Sequence, residues 1–239
     1  MNGNTDYGSR ITDHSAVPVL AIDGPSGSGK GTVGLLLAAR LGWHFLDSGA
    51  LYRALGYAAH RAHIALNDAA VLAGLAREMD IRFLLQDGAS VKVLLDGAEV
   101  GEVLRTEESG KYASQVASIL EVRRELLQKQ RDFRRLPGLV ADGRDMGTVV
   151  FPDASLKIFL TASPELRAER RYKQLKEKGF DANLPRLLGE IRERDARDSA
   201  RAASPLKPAA DAQILDTSAL SISEVVDRIY SVLAARLSQ

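Results

Sequence analysis

The 239-residue chain contains no cysteine, which excludes disulfides and cysteine nucleophiles and fits a reducing, cytoplasmic setting. Aromatic residues make up 5% of it, too few for the stacking platform of a single-strand nucleic-acid binder. Neither sign of charge dominates. The formal net charge is +1, so no global field draws the protein to DNA or to a membrane surface. No uninterrupted apolar run approaches the ~20 residues of a membrane span. Residues 1–16 are polar, lack the apolar block of a secretion signal, and are expected to form a disordered N-terminal extension. The histidines His14, His44, His60 and His63 fall in no motif and read as tail, core-edge or surface residues.

What the chain does contain is concentrated first in Gly24-Pro25-Ser26-Gly27-Ser28-Gly29-Lys30-Gly31-Thr32. An apolar run, Val17 to Ile22, precedes it and another, Val33 to Ala39, follows. Strand, glycine-rich turn and helix start are therefore adjacent, the context of a phosphate-binding P-loop. Glycines let successive backbone N–H groups converge on phosphate oxygens. The helix N-terminus adds partial positive charge, and Lys30 adds a full one. The general pattern places Ser or Thr directly after the lysine; here Gly31 intervenes and Thr32 follows. A plain tight turn before a helix is the competing explanation. It does not account for the lysine, the glycine spacing and the strand–helix context together.

Strands and helices alternate along the chain, which predicts a parallel sheet covered on both faces. The expected strands are Val19–Ile22, His44–Leu46, Leu139–Ala141, Leu156–Leu160 and Gln213–Leu215. Expected helices cover Lys30–Leu41, Gly49–Ala62 and a segment opening at Ser163-Pro164, and a capping box at Ser221–Glu224 opens the last one. One region departs from the alternation. Ile81–Leu85, Val91–Leu95 and Glu99-Val100 are joined by Asp87-Gly88 and Asp96-Gly97, which predicts an antiparallel meander. A single arginine-rich helix is expected after it, from about Ser114 to Arg134.

Ligands of doubly wound sheets lie beyond the carboxyl ends of the strands. The polar residues there are Asp23, then Asp47-Ser48 with Tyr52 and Arg53 a turn later, then Asp142-Gly143-Arg144-Asp145. Asp47 or Ser48 could serve only as a helix cap, and Arg144 only as a surface charge. Their joint position beside a P-loop favours one cleft. Two further sets follow helical spacing: Arg194, Arg197, Asp198 and Arg201 as one polar stripe, and Arg167, Arg170 and Arg171 as another. A solvated, salt-bridged face is the usual outcome for such runs. Beside a P-loop, fixed guanidiniums also suit the charge of a phosphoryl group in transfer.

The segments IDGPSGSGKGT, LDSGALYR, ADGRDMGTVVFPDA, KIFLTAS and ERDARDSAR, in that order, make the chain resemble the bacterial cytidylate kinases, within the nucleoside monophosphate kinase group. The likeness runs from about Pro18 to the C-terminus. It implies an α/β, P-loop NTPase-type fold: a five-stranded parallel sheet flanked by helices, with an inserted antiparallel meander and helices that bind the monophosphate, and a short lid. The implied boundaries are a core of residues 17–75 and 136–239, an insert of 76–135 and a lid of about 171–190. It implies transfer of phosphate from ATP to CMP and dCMP with Mg²⁺, by a monomer that binds neither nucleic acid nor membrane.

Carried over by position, Gly24, Pro25, Ser26, Gly27, Ser28, Gly29, Lys30, Gly31 and Thr32 would hold the ATP phosphates, Thr32 also ligating the metal. Ser48, Arg53 and Arg144 would hold the acceptor phosphate. Ser114, Arg123 and Asp145 would read the cytosine edge, and Arg194, Asp198 and Arg201 would hold the sugar. Asp142 would support metal and phosphate geometry, and Lys30, Asp142, Arg144 and Arg194 would form the catalytic set. The arginine-rich tail of that family's last motif is interrupted here by Ser199 and Ala200. Two other readings remain at this stage: a small-molecule P-loop kinase acting on shikimate or gluconate, and a nucleotide-driven switch or RNA-binding P-loop protein.

Overall fold

A computed structural model describes residues 17–86, 90–177, 179–201 and 204–238. The elements run β1 (Val19–Asp23), α1 (Lys30–Leu41), β2 (His44–Asp47), α2 (Ser48–Arg61), α3 (Ala69–Glu78), β3 (Ile81–Gln86), β4 (Ser90–Leu95), β5 (Ala98–Glu99), α4 (Gly101–Leu104), α5 (Glu107–Val116), α6 (Leu120–Arg131), β6 (Leu139–Gly143), a π-helical turn at Met146–Val150, β7 (Leu156–Thr161), α7 (Pro164–Glu177), α8 (Leu184–Ala200), β8 (Gln213–Asp216) and α9 (Ile222–Leu237). The fold is α/β. Five parallel strands in the order β2-β6-β1-β7-β8 form the main sheet, and β3-β4-β5 form a small antiparallel one.

Every residue of β1 is buried, as expected of a central strand covered on both faces. Its side chains alternate between two cores. Leu20 and Ile22 pack with Val33 and Leu37 of α1 and with Val225 and Ile229 of α9. Val19 and Ala21 face Leu46, Leu139, Met146 and Phe151. A third core joins α2, α3, α5 and α6 to the small sheet through Leu51, Leu55, Leu72, Ile81, Val93 and Leu126. Local chemistry sets the boundaries. Asp47 caps α2 by accepting from the Ala50 N–H at 2.9 Å, and Ser221 and Glu224 close a reciprocal capping box on α9. Asp96 and Gly97, with φ of 49° and 81°, make the β4–β5 turn, the backbone that tight hairpins require.

The structure corrects several expectations. The helix expected from Ser114 to Arg134 is two helices, α5 and α6. The hydroxyl of Ser118 donates to the Gln115 carbonyl at 2.7 Å, and such side-chain bonds compete with helix continuation. Ser114 therefore lies in the last turn of α5 and Arg123 in the first turn of α6. Val100 is not in a strand; it stands as the N-cap of α4. The turn at Asp87-Gly88 and the N-terminal extension lie outside the described residues. Helices α3 and α4 and the π-helical turn are additions to the expected pattern. No helix among the described residues is long and apolar enough to cross a membrane.

Candidate active site

Parallel pairing brings the polar strand ends together. Asp47 lies opposite Asp142 across β2 and β6, and Ile22 opposite Asp142 across β1 and β6. From β1 the chain curls through Gly27 (φ 79°) and Gly29 (φ 89°) into α1, a left-handed backbone that only glycine adopts without strain. Gly29 is the N-cap and supplies no side-chain acceptor to the helix start, leaving a free N-terminal turn of the kind that binds anions. Lys30 is buried, donates to the Pro25 carbonyl at 3.3 Å and sits 3.8 Å from Asp142 Oδ1. A Cβ on Gly31 would stand 3.2 Å from Asp142 Oδ2. The carboxylate thus leaves tight room for a side chain directly after the lysine, and glycine there is compatible with it. Thr32 itself is exposed in the first turn of α1.

Opposite the loop, guanidiniums from four elements converge. Arg53 of α2 donates to the Leu104 carbonyl at 3.1 Å. Arg144, just after β6, donates Nε to Asp198 Oδ2 at 3.1 Å, and Arg201 donates to Asp198 Oδ1 at 2.5 Å. Arg194 lies one turn before Asp198 on α8. Farther along, Arg123 and Asp145 form an ion pair of 2.5 Å, with the Arg123 guanidinium 5.9 Å from the centre of the Tyr52 ring. Ser48 donates to Gln130 Oε1 at 2.8 Å, and Ser114 to the Gly110 carbonyl at 3.0 Å.

The electrostatics are those of a site short of an anion. Burial lowers the Lys30 pKa, and Arg144 and Arg194 push it the same way against Asp142 and Asp47. Burial lowers Arg194 to about 10, with Arg144, Arg53 and Arg201 all repelling it. Burial alone would raise Asp198, but the guanidiniums of Arg144, Arg201 and Arg194 outweigh it and hold the carboxyl low. Burial raises Asp142, opposed chiefly by Lys30. The buried side-chain polar atoms without a hydrogen-bond partner among the described residues are Ser28 Oγ, Arg53 Nε, Asp142 Oδ1 and Arg194 Nε. All four belong to this cleft. Unpartnered buried polar atoms are costly, and a polyanionic ligand with its counter-cation is the chemistry that would satisfy them.

The cytidylate kinase family profile matches residues 20–235. The chain is similar to cytidylate kinases from Stutzerimonas stutzeri (59% identity, 92% of this chain and 96% of that one), Pseudomonas aeruginosa (60%, 90% and 95%) and Aeromonas hydrophila (58%, 92% and 95%). The chain belongs to the cytidylate kinase family. It is therefore an enzyme, a nucleoside monophosphate kinase that uses ATP, and the shikimate or gluconate alternative is not favoured.

Within this cytidylate kinase framework, two expected stripes are redistributed. Arg197 leaves the set on α8: it is exposed and reaches only Glu193, at 3.7 Å. Arg201 lies just past the helix end and returns to Asp198 from there. The α7 arginines separate entirely. Arg167 is buried, Arg170 donates to Thr217, and Arg171 reaches Glu107 across to α5. Sequence reasoning assigned no role to Gln130 or Asp195 and took Arg167 only as part of the α7 stripe. It named Asp23 without a role, although its carboxylate accepts from the Met146 and Gly147 N–H groups at 2.8 Å each and so fixes the π-helical turn after Asp145. The prior signals were slight: Asp23 directly precedes the P-loop, and Arg167 falls in the arginine stripe of the helix after β7.

Proposed function

We propose that the protein transfers the γ-phosphoryl group of ATP to CMP and dCMP, giving ADP with CDP or dCDP. The observation that carries this reading is the gathering of Lys30, Arg144, Arg194, Arg53 and Arg201 around one cleft, with the buried Arg53 Nε and Arg194 Nε unpartnered. A nucleoside monophosphate is largely ionised at pH 7, since its second pKa is near 6. It needs alignment and charge neutralisation rather than a strong base. The P-loop from Gly24 to Thr32 would grip the donor phosphates, and Ser48, Arg53 and Arg144 the acceptor phosphate. Arg194, Asp198 and Arg201 would hold the sugar side. Asp145 would accept from the cytosine amine while Arg123 donates to the ring acceptors, with Ser114 nearby.

The residues present fit Mg²⁺. Thr32 would hold it, supported by Asp142, whose Oδ1 has no hydrogen-bond partner. Bound there, the ion neutralises charge on the phosphate oxygens. No cluster of three or more His, Asp or Glu that could hold a metal alone occurs among the described residues, so the phosphates would supply the other ligands. The near-neutral net charge of +1 gives no global field toward nucleic acid or membrane, and the resemblance to the cytidylate kinases supports a cytoplasmic monomer. The test is ADP release across the common ribo- and deoxyribonucleoside monophosphates. CMP and dCMP are expected to lead; a faster rate with AMP or with a sugar acid would refute the reading.

Water competes with the acceptor, so the site must close. In this reading the lid is the segment of about 171–190 around Gly179 (φ 78°), and both it and the antiparallel insert move on binding. Hydrogen exchange in both segments should slow when CMP and an ATP analogue bind together. Unchanged exchange would remove the lid from the account.

A further inference from the structure

Arg167, in the first turn of α7, is 2% exposed, and its whole guanidinium is engaged. Nε donates to the Ala162 carbonyl at 3.0 Å, beyond the end of β7. Nη1 donates to the Ser26 carbonyl in the P-loop at 2.9 Å and to Asp195 Oδ1 at 3.0 Å, and Nη2 pairs with Asp195 Oδ2. The loop rests against this side chain: a Cβ on Gly27 would stand 3.3 Å from Arg167 Cβ. Asp195 belongs to α8. It directly follows Arg194, whose Nε is buried and unpartnered, and comes one turn before Asp198, which Arg144 and Arg201 hold.

One buried cation therefore ties the loop on the donor side to the helix that carries the acceptor-side groups. The Ser26 carbonyl and the Gly27 N–H belong to one planar trans peptide. Holding the carbonyl against Arg167 aims the N–H in the opposite direction. Any shift of α8 that brings Arg194 and Asp198 to a ligand also moves Asp195, and with it the guanidinium that sets this peptide plane.

We propose that Arg167 and Asp195 form a positioning strut that couples acceptor binding on α8 to the affinity of the P-loop for ATP. The proposal rests on the function assigned above. The acceptor fixes α8, Asp195 holds Arg167, and Arg167 holds the Ser26–Gly27 peptide in its binding orientation. Coupling of binding free energies is reciprocal, so ATP tightens CMP by the same factor.

The test is calorimetric titration of the full chain with a non-hydrolysable ATP analogue, with and without saturating CMP. In the unaltered protein, CMP is expected to tighten the analogue by about fivefold or more. In Asp195→Asn, that factor should fall below about twofold, while affinity for the analogue alone changes by less than about threefold. Asp195→Glu keeps the charge and should retain most of the coupling, which a merely structural role would not require. A folded Asp195→Asn variant with undiminished coupling overturns the strut, as does an unaltered protein in which CMP leaves the analogue's affinity unchanged. Should Asp195→Asn not fold, Arg167→Lys decides, because one ammonium cannot span Ser26, Ala162 and both Asp195 oxygens. Full coupling in that variant overturns the strut. An unaltered chain that does not phosphorylate CMP sinks the assigned function and the strut with it; phosphorylation with coupling unmoved in the variants sinks the strut alone.

Discussion

The two halves of the cleft are built from different materials. On the donor side the groups are backbone: an uncapped helix start, glycines with positive φ, and Lys30 anchored to Pro25 within five residues of itself. On the acceptor side they are long side chains from α2, the end of β6, α8 and the segment after it: Arg53 and Arg144 are held by a carbonyl and a carboxylate more than fifty residues away, Arg201 by Asp198 three residues before it, and Arg194 keeps its Nε unpartnered. A backbone cradle is nearly rigid before the ligand arrives. Paired guanidiniums are aimed but already occupied, so a ligand must replace Asp198 or share Arg144 and Arg201 with it. The first half supplies grip on charge, the second supplies choice among acceptors.

Removing the ammonium breaks the donor half outright. Lys30→Ala should lower kcat by about 10²–10³ with a near-native circular dichroism spectrum, and retained activity would contradict the assignment. Next in size is the seam between the halves. Burial raises Asp23 to about 7, against its two backbone N–H bonds and with Asp145 and Asp142 adding to the rise. The folded state then holds a proton between about pH 4 and 7 that the unfolded chain has released, so stability falls as pH rises through that window. At 1.36 kcal/mol per pKa unit this amounts to at most about 4 kcal/mol. Urea midpoints at pH 5 and pH 8 should differ more for the unaltered protein than for Asp23→Asn, and parallel profiles would show that this carboxyl does not carry the slope.

Asp145→Asn sharpens the acceptor half. It replaces one of the two acceptor oxygens offered to the base with an NH2 donor, and a good base contact is worth about 1–3 kcal/mol of discrimination. The ratio of CMP to UMP turnover should fall by about tenfold or more, while the maximal rate with the better nucleotide falls less. Equal losses on both nucleotides would place Asp145 in the catalytic set instead. The rim should matter least. Arg171 and Glu107 meet at 2.6 Å, but Glu107 is 66% exposed, and pairs of that kind contribute about 0–1 kcal/mol. Glu107→Gln should leave the thermal midpoint within about 4 °C; a larger loss would show that the α7–α5 contact is a structural joint.

The same contrast explains what could be read from the chain alone. The P-loop, the five parallel strands, the helices α1 and α2 and the start of α9 rest on local pattern, and each appears within a residue or two of its expected bounds. The π-helical turn depends on Asp23, more than a hundred residues upstream, and no local signal marks it. At the break between α5 and α6 a serine hydroxyl and two backbone turn bonds close the helix end, and no glycine or proline marks it in the sequence. Spacing placed Arg197 with Arg194 and Asp198, yet helical periodicity does not say which side of a charged helix meets a partner. Arg167 was obscure for the opposite reason. A charged residue in a charged helix looks solvated, and only the packing of α7 beneath Ser26 and beside α8 buries it.

The clearance around residue 31 is narrow. A methyl group there would press on the Asp142 carboxylate from 3.2 Å, so a side chain in that slot would require the acid to give by a few tenths of an ångström. The swapped order of the motif suits this tight fit. In this chain the glycine directly behind the lysine marks, in one dimension, an acid from a neighbouring strand tucked under the loop in three.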